Sequence, residues 1–352
     1  MKNILTTIFI ALALSAHAQC PDEGEAGCCQ SAERPDKNWL TAASLEFRAD
    51  WQSTWQAGSQ VDDASGFRGS YLNLKLAGEL GRHWNWAYRQ RFSKDMLSFD
   101  GFINATDYLY VQYHPTERWT VTAGKQFVAI GGFEYDYAPI DVYKYSAFCN
   151  EVLPYAYGLS VAYDLTPTDN LLVQATQSVF MPRQLNRYSY NIKWTGHHGC
   201  FESLYSIGMQ EYDRGKYINV IALGNRFDLG RCQIVADYTN RYANVSGAHF
   251  FGDFTAVAQV HTQPISSLNL FAHYSYDRNK GNTADTLVPD GTDLHTAGLG
   301  AEYFPLHGRR DLRLHAGYYY SSDKAHFLTL GVTFRPDLLN LKAQFKPSCK
   351  RK

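Results

Sequence analysis

Hydrophobic and polar residues alternate along most of the chain. Leu72, Leu74 and Leu76 lie on one face of such a stretch, and Asn73 and Lys75 lie on the other. Successive side chains of a β-strand point to opposite faces, whereas apolar residues of a helix recur every three or four positions. The pattern therefore predicts strands that each have one apolar face and one polar face.

Sixteen segments carry this pattern, each about 9–13 residues long, and they begin near residues 42, 70, 84, 106, 119, 155, 170, 187, 200, 217, 231, 250, 267, 293, 311 and 326. A tilted strand needs about 9–11 residues to cross a bilayer. Because open sheet edges are not tolerated in lipid, strands of this kind must close into a ring. We predict an all-β fold, a closed antiparallel transmembrane β-barrel of about 16 strands over residues 39–335.

The links between the predicted strands alternate in length. Links after even-numbered strands are short, as at residues 81–83, 167–169 and 263–265. Most links after odd-numbered strands are longer, and the longest covers residues 128–154, whereas the short link 321–324 is an exception. Short periplasmic turns and longer outer loops are typical of outer-membrane barrels. An even number of strands also predicts that both termini are periplasmic.

The beginning of the chain lacks the strand pattern. Lys2, an apolar run over residues 4–14 and the small residues Ala16 and Ala18 predict a signal peptide over residues 1–18. The acidic residues 19–38 are predicted to be a flexible periplasmic leader. Lipidation of Cys20 is the less favoured alternative, because the preceding Gln19 is not small.

The C-terminal residues 336–352 are predicted to be a periplasmic tail. Alternating residues over 337–346 leave a further strand as the alternative, and an odd seventeenth strand would place the C-terminus outside. Pro336, Pro347 and the basic last three residues favour the tail.

The composition fits a membrane barrel better than a soluble protein. Aromatic residues make up 15% of the chain and charged residues only 19%, against roughly 25% charged residues in ordinary domains. Aromatic girdles at both membrane interfaces would explain this balance. A soluble sandwich or propeller is the alternative, but a blade repeat of about 40 residues is not visible. The net charge of −1 gives no reason to expect electrostatic steering, and we expect no nucleic-acid partner.

The cysteines do not predict a metal centre. There are seven, and three of them, Cys20, Cys28 and Cys29, lie close together in the predicted leader. A local disulfide is favoured over a metal site there, because the spacing is unusual for zinc and no histidine is near. The odd total leaves at least one thiol free or paired between chains. We expect neither a metal nor a cofactor.

The polar faces of the strands supply candidates for the pore lining. The basic candidates for lining the pore and binding anions are Arg48, Lys75, Arg89, Arg91, Lys193, Arg241, Arg313 and Arg335. The acidic candidates are Glu46, Asp50, Glu79, Glu202, Asp237 and Glu302. Arg89 and Arg91 lie two apart on one strand and could hold a phosphate, since guanidinium groups bind oxyanions through paired donors. The alternative is that they are solvated wall residues balanced by carboxylates.

The link over residues 128–154 is long enough to be functional or disordered. Gly131 and Gly132 permit unusual backbone angles, and the many aromatic residues argue against disorder. We predict that this loop folds into the pore and narrows it, with candidate constriction residues Glu134, Tyr135, Asp136, Asp141 and Lys144. Because most of these charges are acidic, they would repel phosphate. An ordered outer cap without a role in permeation is the alternative.

Several stretches resemble the phosphate-selective porin O and P family. The most distinctive covers residues 123–143 and reads AGKQFVAIGGFEYDYAPIDVY, and others read GFRGSYLNL, YRQRF, ATDYLYVQY, GAEYFPL and LGVTF. The resemblance extends over about residues 40–335 and implies a 16-stranded trimeric porin in the outer membrane with loops folded into the lumen. The family's namesakes favour anions through inward-facing arginines and lysines. We therefore expect passive diffusion of small hydrophilic solutes or ions, with inorganic anions such as phosphate as candidates.

Two other functions fit a barrel of this size. The aromatic loop could block the lumen and leave a plugged binding or adhesion barrel. An outer-membrane enzyme is the second alternative, but the sequence contains neither a G-x-S-x-G nor an H-E-x-x-H motif. We expect no catalytic residues.

Overall fold

A computed structural model describes residues 39–94, 99–182 and 184–340. Sixteen long antiparallel strands dominate it, and none of the described helices is long and apolar enough to cross a membrane. The predicted signal peptide, the leader up to residue 38 and the last twelve residues of the tail, 341–352, lie outside the described residues.

Each strand pairs with the next, and the last pairs with the first, which confirms the predicted closed barrel. A two-residue strand, Ser59–Gln60, extends the first hairpin. The sixteen strands are β1 Ala42–Gln56, β2 Gly66–Leu80, β3 Trp84–Arg91, β4 Thr106–Tyr113, β5 Trp119–Phe127, β6 Tyr155–Asp164, β7 Asp169–Gln177, β8 Tyr188–His198, β9 Phe201–Asp213, β10 Lys216–Asp228, β11 Cys232–Ala243, β12 Asp253–Ile265, β13 Leu268–Asn279, β14 Asp293–Tyr303, β15 Leu312–Ser321 and β16 Ala325–Phe334.

Every strand begins within four residues of its predicted start. One predicted turn is displaced, because β12 continues through Ile265 and the turn follows it. The pairing register with β13 shifts between Thr262 and Ile265. This irregularity accommodates Pro264, which has no N–H to give to a regular ladder.

Three short helices lie in the links after odd-numbered strands. Helix α1 covers Phe99–Ala105, immediately before β4. Helices α2, Phe133–Asp136, and α3, Ala147–Glu151, both belong to the loop of residues 128–154. The Ser146 side chain caps α3 by accepting a hydrogen bond from the Cys149 amide.

The two faces of the strands differ as the alternation predicts. On β1, Phe47 is 36% exposed on the outer surface, whereas Glu46 and Arg48 are each 2% exposed on the inner one. At the end with the short turns, aromatic rings pair across neighbouring strands, with centroids 4.6 Å apart for Trp84–Tyr113 and for Trp119–Tyr163. Such rings are suited to a membrane interface.

One side of the barrel interior is filled by an apolar core. Ile218 and Val220 of β10 point inward and pack against Val128 and Phe148 of the long loop and Val288 of the link between β13 and β14. Each of these side chains is buried, which contributes about 1.5–3 kcal/mol per large apolar side chain. We call this group, with its neighbours Ile130, Tyr135, Val152, Ala156, Val179, Phe180, Ala222, Ala243 and Ala284, the apolar cluster.

The first residues after β16 continue its pairing with β1. The Leu45 amide donates to the Pro336 carbonyl at 3.3 Å, and the Leu338 amide donates to the Ala43 carbonyl at 2.8 Å. The chain thus prolongs the pairing of β16 through the Ser44–Asp337 bridge and then bends over residues 338–340. The remainder of the alternative strand predicted for residues 337–346 lies outside the described residues.

Candidate functional site

The loop of residues 128–154 lies inside the barrel. The Gly131 amide donates to the Ser206 hydroxyl of β9 at 2.8 Å, and the Glu134 amide donates to Asp237 Oδ2 of β11 at 2.7 Å. A side chain at Gly131 would approach the Leu204 carbonyl to 2.5 Å, so only glycine allows the loop to lie this close to the wall.

The middle of the loop reaches the opposite wall. Asp141 accepts from Arg313 Nη1 of β15 at 2.9 Å and from Arg335 Nη2 at 2.6 Å, and Arg48 of β1 donates to the Val142 carbonyl at 2.8 Å. Burial alone would raise the pKa of Asp141, but Arg335 and Arg313 outweigh it and hold that pKa below its usual range. The loop therefore crosses the interior and is fastened at both ends of its path by charged or polar side chains.

The side of the interior opposite the apolar cluster carries a set of ion pairs, which we call the cationic network. Its seven basic residues are Arg48, Lys75, Arg89, Arg91, Lys94, Arg313 and Arg335. Its five carboxylates are Glu46, Asp50, Asp107, Asp141 and Glu302. Among the described residues, the network therefore has two more cations than anions, and six of the eight predicted basic candidates belong to it.

The excess of positive charge is greatest around Asp107. Its Oδ2 lies 3.2 Å from Arg89 Nε and 3.0 Å from Arg91 Nη2, and its Oδ1 lies 4.0 Å from Lys94 Nζ. Three cations thus share one carboxylate. Asp107 is not among the predicted candidates, because the alternation of β4 places it on the outer face. A register shift between Arg89 and Gln90 turns it inward, and no feature of the sequence indicates that shift.

Two of the predicted basic residues lie elsewhere. Lys193 of β8 is 3.4 Å from Asp136 of the loop. Arg241 of β11 faces inward but is 0% exposed, since Asp253 at 2.7 Å and Asp285 at 2.6 Å enclose it. Asp285 belongs to the link between β13 and β14, so the structure places Arg241 beneath that loop.

The loop candidates occupy different environments. Tyr135 packs in the apolar cluster, whereas Lys144 is exposed and its Nζ lies 5.6 Å from the centre of the Phe327 ring. Glu134 is buried and accepts hydrogen bonds from the Ser146 amide at 3.0 Å and the Ser146 hydroxyl at 2.5 Å. Burial raises the pKa of Glu134 to about 7. Within the described ranges, no group of three or more potential ligands could hold a metal ion.

The raised pKa of Glu134 predicts that the loop is held less firmly at alkaline pH. The usual pKa of glutamate is 4.5, and the pKa of Glu134 in the folded protein is about 7. The contribution of Glu134 to the stability of the folded protein is therefore complete below pH 4.5 and is lost as the pH rises through 7. We expect wild-type channels to show more current noise at about pH 8.5 than at about pH 5.5. Glu134→Gln should remove this difference. An equal pH dependence in the variant would show that Glu134 does not cause it.

Comparisons with known proteins agree with this architecture. The model of the family described as phosphate-selective porin O and P matches residues 42–240, more than half of the 352-residue chain. A search of curated proteins finds no match. Among solved structures, the outer membrane channel DcaP of Acinetobacter baumannii is 12% identical with a TM-score of 0.60, covering 84% of this chain and 96% of its own.

Two other porins share the fold. A loop-deletion mutant of OmpT, an outer membrane protein of Vibrio cholerae, is 11% identical with a TM-score of 0.59, covering 85% of this chain and all of its own. A triple mutant of the Rhodopseudomonas blastica porin is 13% identical with a TM-score of 0.53, covering 84% of this chain and all of its own. Identities this low establish only the fold. The extent of the family match, on a closed barrel with a loop across its interior, shows that the chain belongs to the phosphate-selective porin O and P family of outer-membrane channels for solute diffusion.

Proposed function

We propose that this porin prefers small anions, inorganic phosphate among them, and that the cationic network sets the preference. The single observation that carries the proposal is the convergence of Arg89, Arg91 and Lys94 on the one carboxylate of Asp107. Selectivity depends on charge at the narrow part of a channel and not on the net charge of the chain. Guanidinium groups also match the geometry of phosphate and carboxylate oxygens.

The acidic residues of the loop do not oppose this preference as strongly as the sequence alone implies. Asp141 is the counter-ion of Arg313 and Arg335, and Asp136 lies beside Lys193. Glu134 is buried, and its pKa is raised to about 7. The charges of Asp136 and Asp141 are therefore compensated by wall cations, and burial reduces the ionisation of Glu134.

Planar-bilayer recording in asymmetric potassium chloride tests the proposal. We expect the reversal potential to have the sign of chloride preference, with a permeability ratio of about two or more, because a local excess of cations concentrates anions. A reversal potential of the opposite sign would reject anion preference and leave the porin assignment intact. Replacement of chloride by phosphate on one side should leave a measurable phosphate current.

The same recording separates an open channel from a plugged barrel. We propose that the path beside the cationic network conducts, since the apolar cluster fills only the other side of the interior. Stable conductance steps are expected. A correctly folded barrel that inserts without any steps would instead support a binding or adhesion function.

We further propose a homotrimer in outer-membrane lipid, with both termini in the periplasm and no enzymatic activity. The trimer rests on the architecture that the family resemblance implies, and the terminal placement rests on the short turns at the end of the barrel where β1 begins. The family and the fold indicate a channel and not an enzyme. Chemical crosslinking in detergent should give a three-subunit species, and lipase and protease assays on that species should give no turnover.

A further inference from the structure

Four tyrosines surround the arginine pair of the cationic network. Tyr71 of β2 lies beneath the Arg91 guanidinium, with its ring centre 5.4 Å from Cζ. Tyr155 of β6 accepts a hydrogen bond from Arg89 Nη1 at 3.2 Å, and its ring lies 5.8 Å from that of Tyr108 of β4. With Tyr145 of the loop, these residues form what we call the tyrosine–arginine pocket.

Tyr145 of the loop lies near Tyr71 and Tyr155. Burial raises the pKa of Tyr145 well above its usual range, and the hydroxyls of Tyr71 and Tyr155 add to the shift. A hydroxyl in this setting stays neutral, so it can donate a hydrogen bond to an anion. The pocket thus combines neutral hydroxyl donors with two permanently charged guanidinium groups.

These four rings differ from the other aromatic rings of the interior. Tyr143, Phe271 and Tyr319 are packed against one another and are almost completely buried. Tyr71, Tyr108, Tyr145 and Tyr155 are only half-buried, so part of each ring remains accessible. A solute that passes the arginines therefore meets exposed aromatic surface as well as positive charge.

One guanidinium nitrogen in the pocket has no partner among the described residues. Arg89 is 2% exposed, yet its Nη2 makes no hydrogen bond there. A buried donor without a partner is unfavourable, so a ligand oxygen at this position would be favoured. The carboxylate of Asp107 does not supply the missing acceptor for Arg89 Nη2, because Arg91 and Lys94 share that carboxylate.

We propose that the tyrosine–arginine pocket binds organic carboxylates that carry an aromatic ring. The proposal rests on anion preference, the proposed function, and names the solute class that this site would select. The carboxylate pairs with Arg89 and Arg91, and the ring of the solute packs against the tyrosine rings. Inorganic phosphate could use only the first of these contacts. An aliphatic carboxylate of similar charge would lose the second.

Solute block of the chloride current tests the proposal. We expect benzoate to reduce single-channel conductance at about tenfold lower concentration than acetate, because contacts with the tyrosine rings add to the ionic contact. Cyclohexanecarboxylate, which is apolar but not aromatic, should fall between them. Inorganic phosphate should block less well than benzoate.

Two variants locate the site. Tyr71→Leu and Tyr145→Leu keep an apolar side chain of moderate size, and each should bring the benzoate concentration for half-block close to that for acetate. Tyr190→Leu is the matched control, because Tyr190 of β8 is exposed on the outer surface and should leave the benzoate block unaltered.

Each outcome has a definite meaning. Equal block by benzoate and acetate in an anion-selective channel would overturn the pocket and leave the proposed function standing. Stronger block by inorganic phosphate than by benzoate would also overturn it. A cation-selective wild-type channel would instead reject the proposed function. Because the comparison of solutes uses the wild-type protein, it tests the tyrosine–arginine pocket even if a variant fails to fold.

Discussion

Replacement of Arg241 by methionine is expected to destabilise the folded barrel by about 3–5 kcal/mol, the cost of leaving partners of a buried ion pair uncompensated. Arg241 is 0% exposed and binds Asp253 at 2.7 Å, Asp285 at 2.6 Å and the Thr255 hydroxyl at 3.0 Å. Methionine fills a similar volume but leaves both carboxylates buried without a cation.

The destabilisation caused by Arg241→Met should be greatest in the link between β13 and β14. Asp285 also accepts hydrogen bonds from the Leu287 and Val288 amides at 2.8 and 3.1 Å, so the same carboxylate organises the loop and fixes it to Arg241. We expect trypsin to cleave after the exposed Lys280 in Arg241→Met far faster than in the wild type. Urea unfolding in detergent would measure the overall loss of stability.

Two controls identify the cause. Arg231→Met removes an exposed arginine from a short turn and should change neither measurement. Adding Asp253→Asn and Asp285→Asn to Arg241→Met removes the uncompensated charges and should recover part of the stability. If the triple variant is no more stable than Arg241→Met, buried charge is not the reason for the loss.

Replacement of Arg89 and Arg91 by glutamine is expected to reduce the anion preference strongly or to reverse it. The change removes two of the seven cations of the cationic network, which leaves five cations against five carboxylates. Glutamine retains a hydrogen-bond donor beside Asp107 and so limits the structural disturbance. The reversal potential in asymmetric potassium chloride should move toward zero or beyond it.

The reciprocal variant should move the same reversal potential in the other direction. Asp141→Asn removes a carboxylate that binds Arg313 and Arg335, so the excess of cations rises from two to three. Arg231→Gln is the neutral control, since that side chain lies outside the network. A shift of the same sign in the arginine and aspartate variants would contradict electrostatic control by this set of residues.

The strands and their links could be predicted because lipid imposes a simple rule on the outer face. A side chain that faces hydrocarbon is apolar, so period-two alternation marks a membrane strand, and the confirmed closed barrel follows from it. The alternation of apolar and polar residues is lost where the inner face of a strand packs against apolar side chains and does not contact water. On β10, Ile218 and Val220 point into the apolar cluster, whereas Asn219 is exposed on the outer surface.

The candidate site was predictable only for residues that obey regular alternation. Arg48, Lys75, Arg89 and Arg91 lie on the inner face as the pattern predicts. Asp107 was missed because a bulge reverses its face. The burial of Arg241 could not be foreseen, since it depends on Asp285, a loop residue that lies 44 positions away in the sequence.

The apolar cluster has a consequence for how the protein assembles. Ile218 and Val220 pack against Val128 and Phe148, which belong to a loop that is separated from β10 by four strands, β6 to β9. This packing removes apolar side chains on both the wall and the loop from water. The hydrophobic effect inside the cylinder therefore favours the docked loop, independently of the lipid around the barrel.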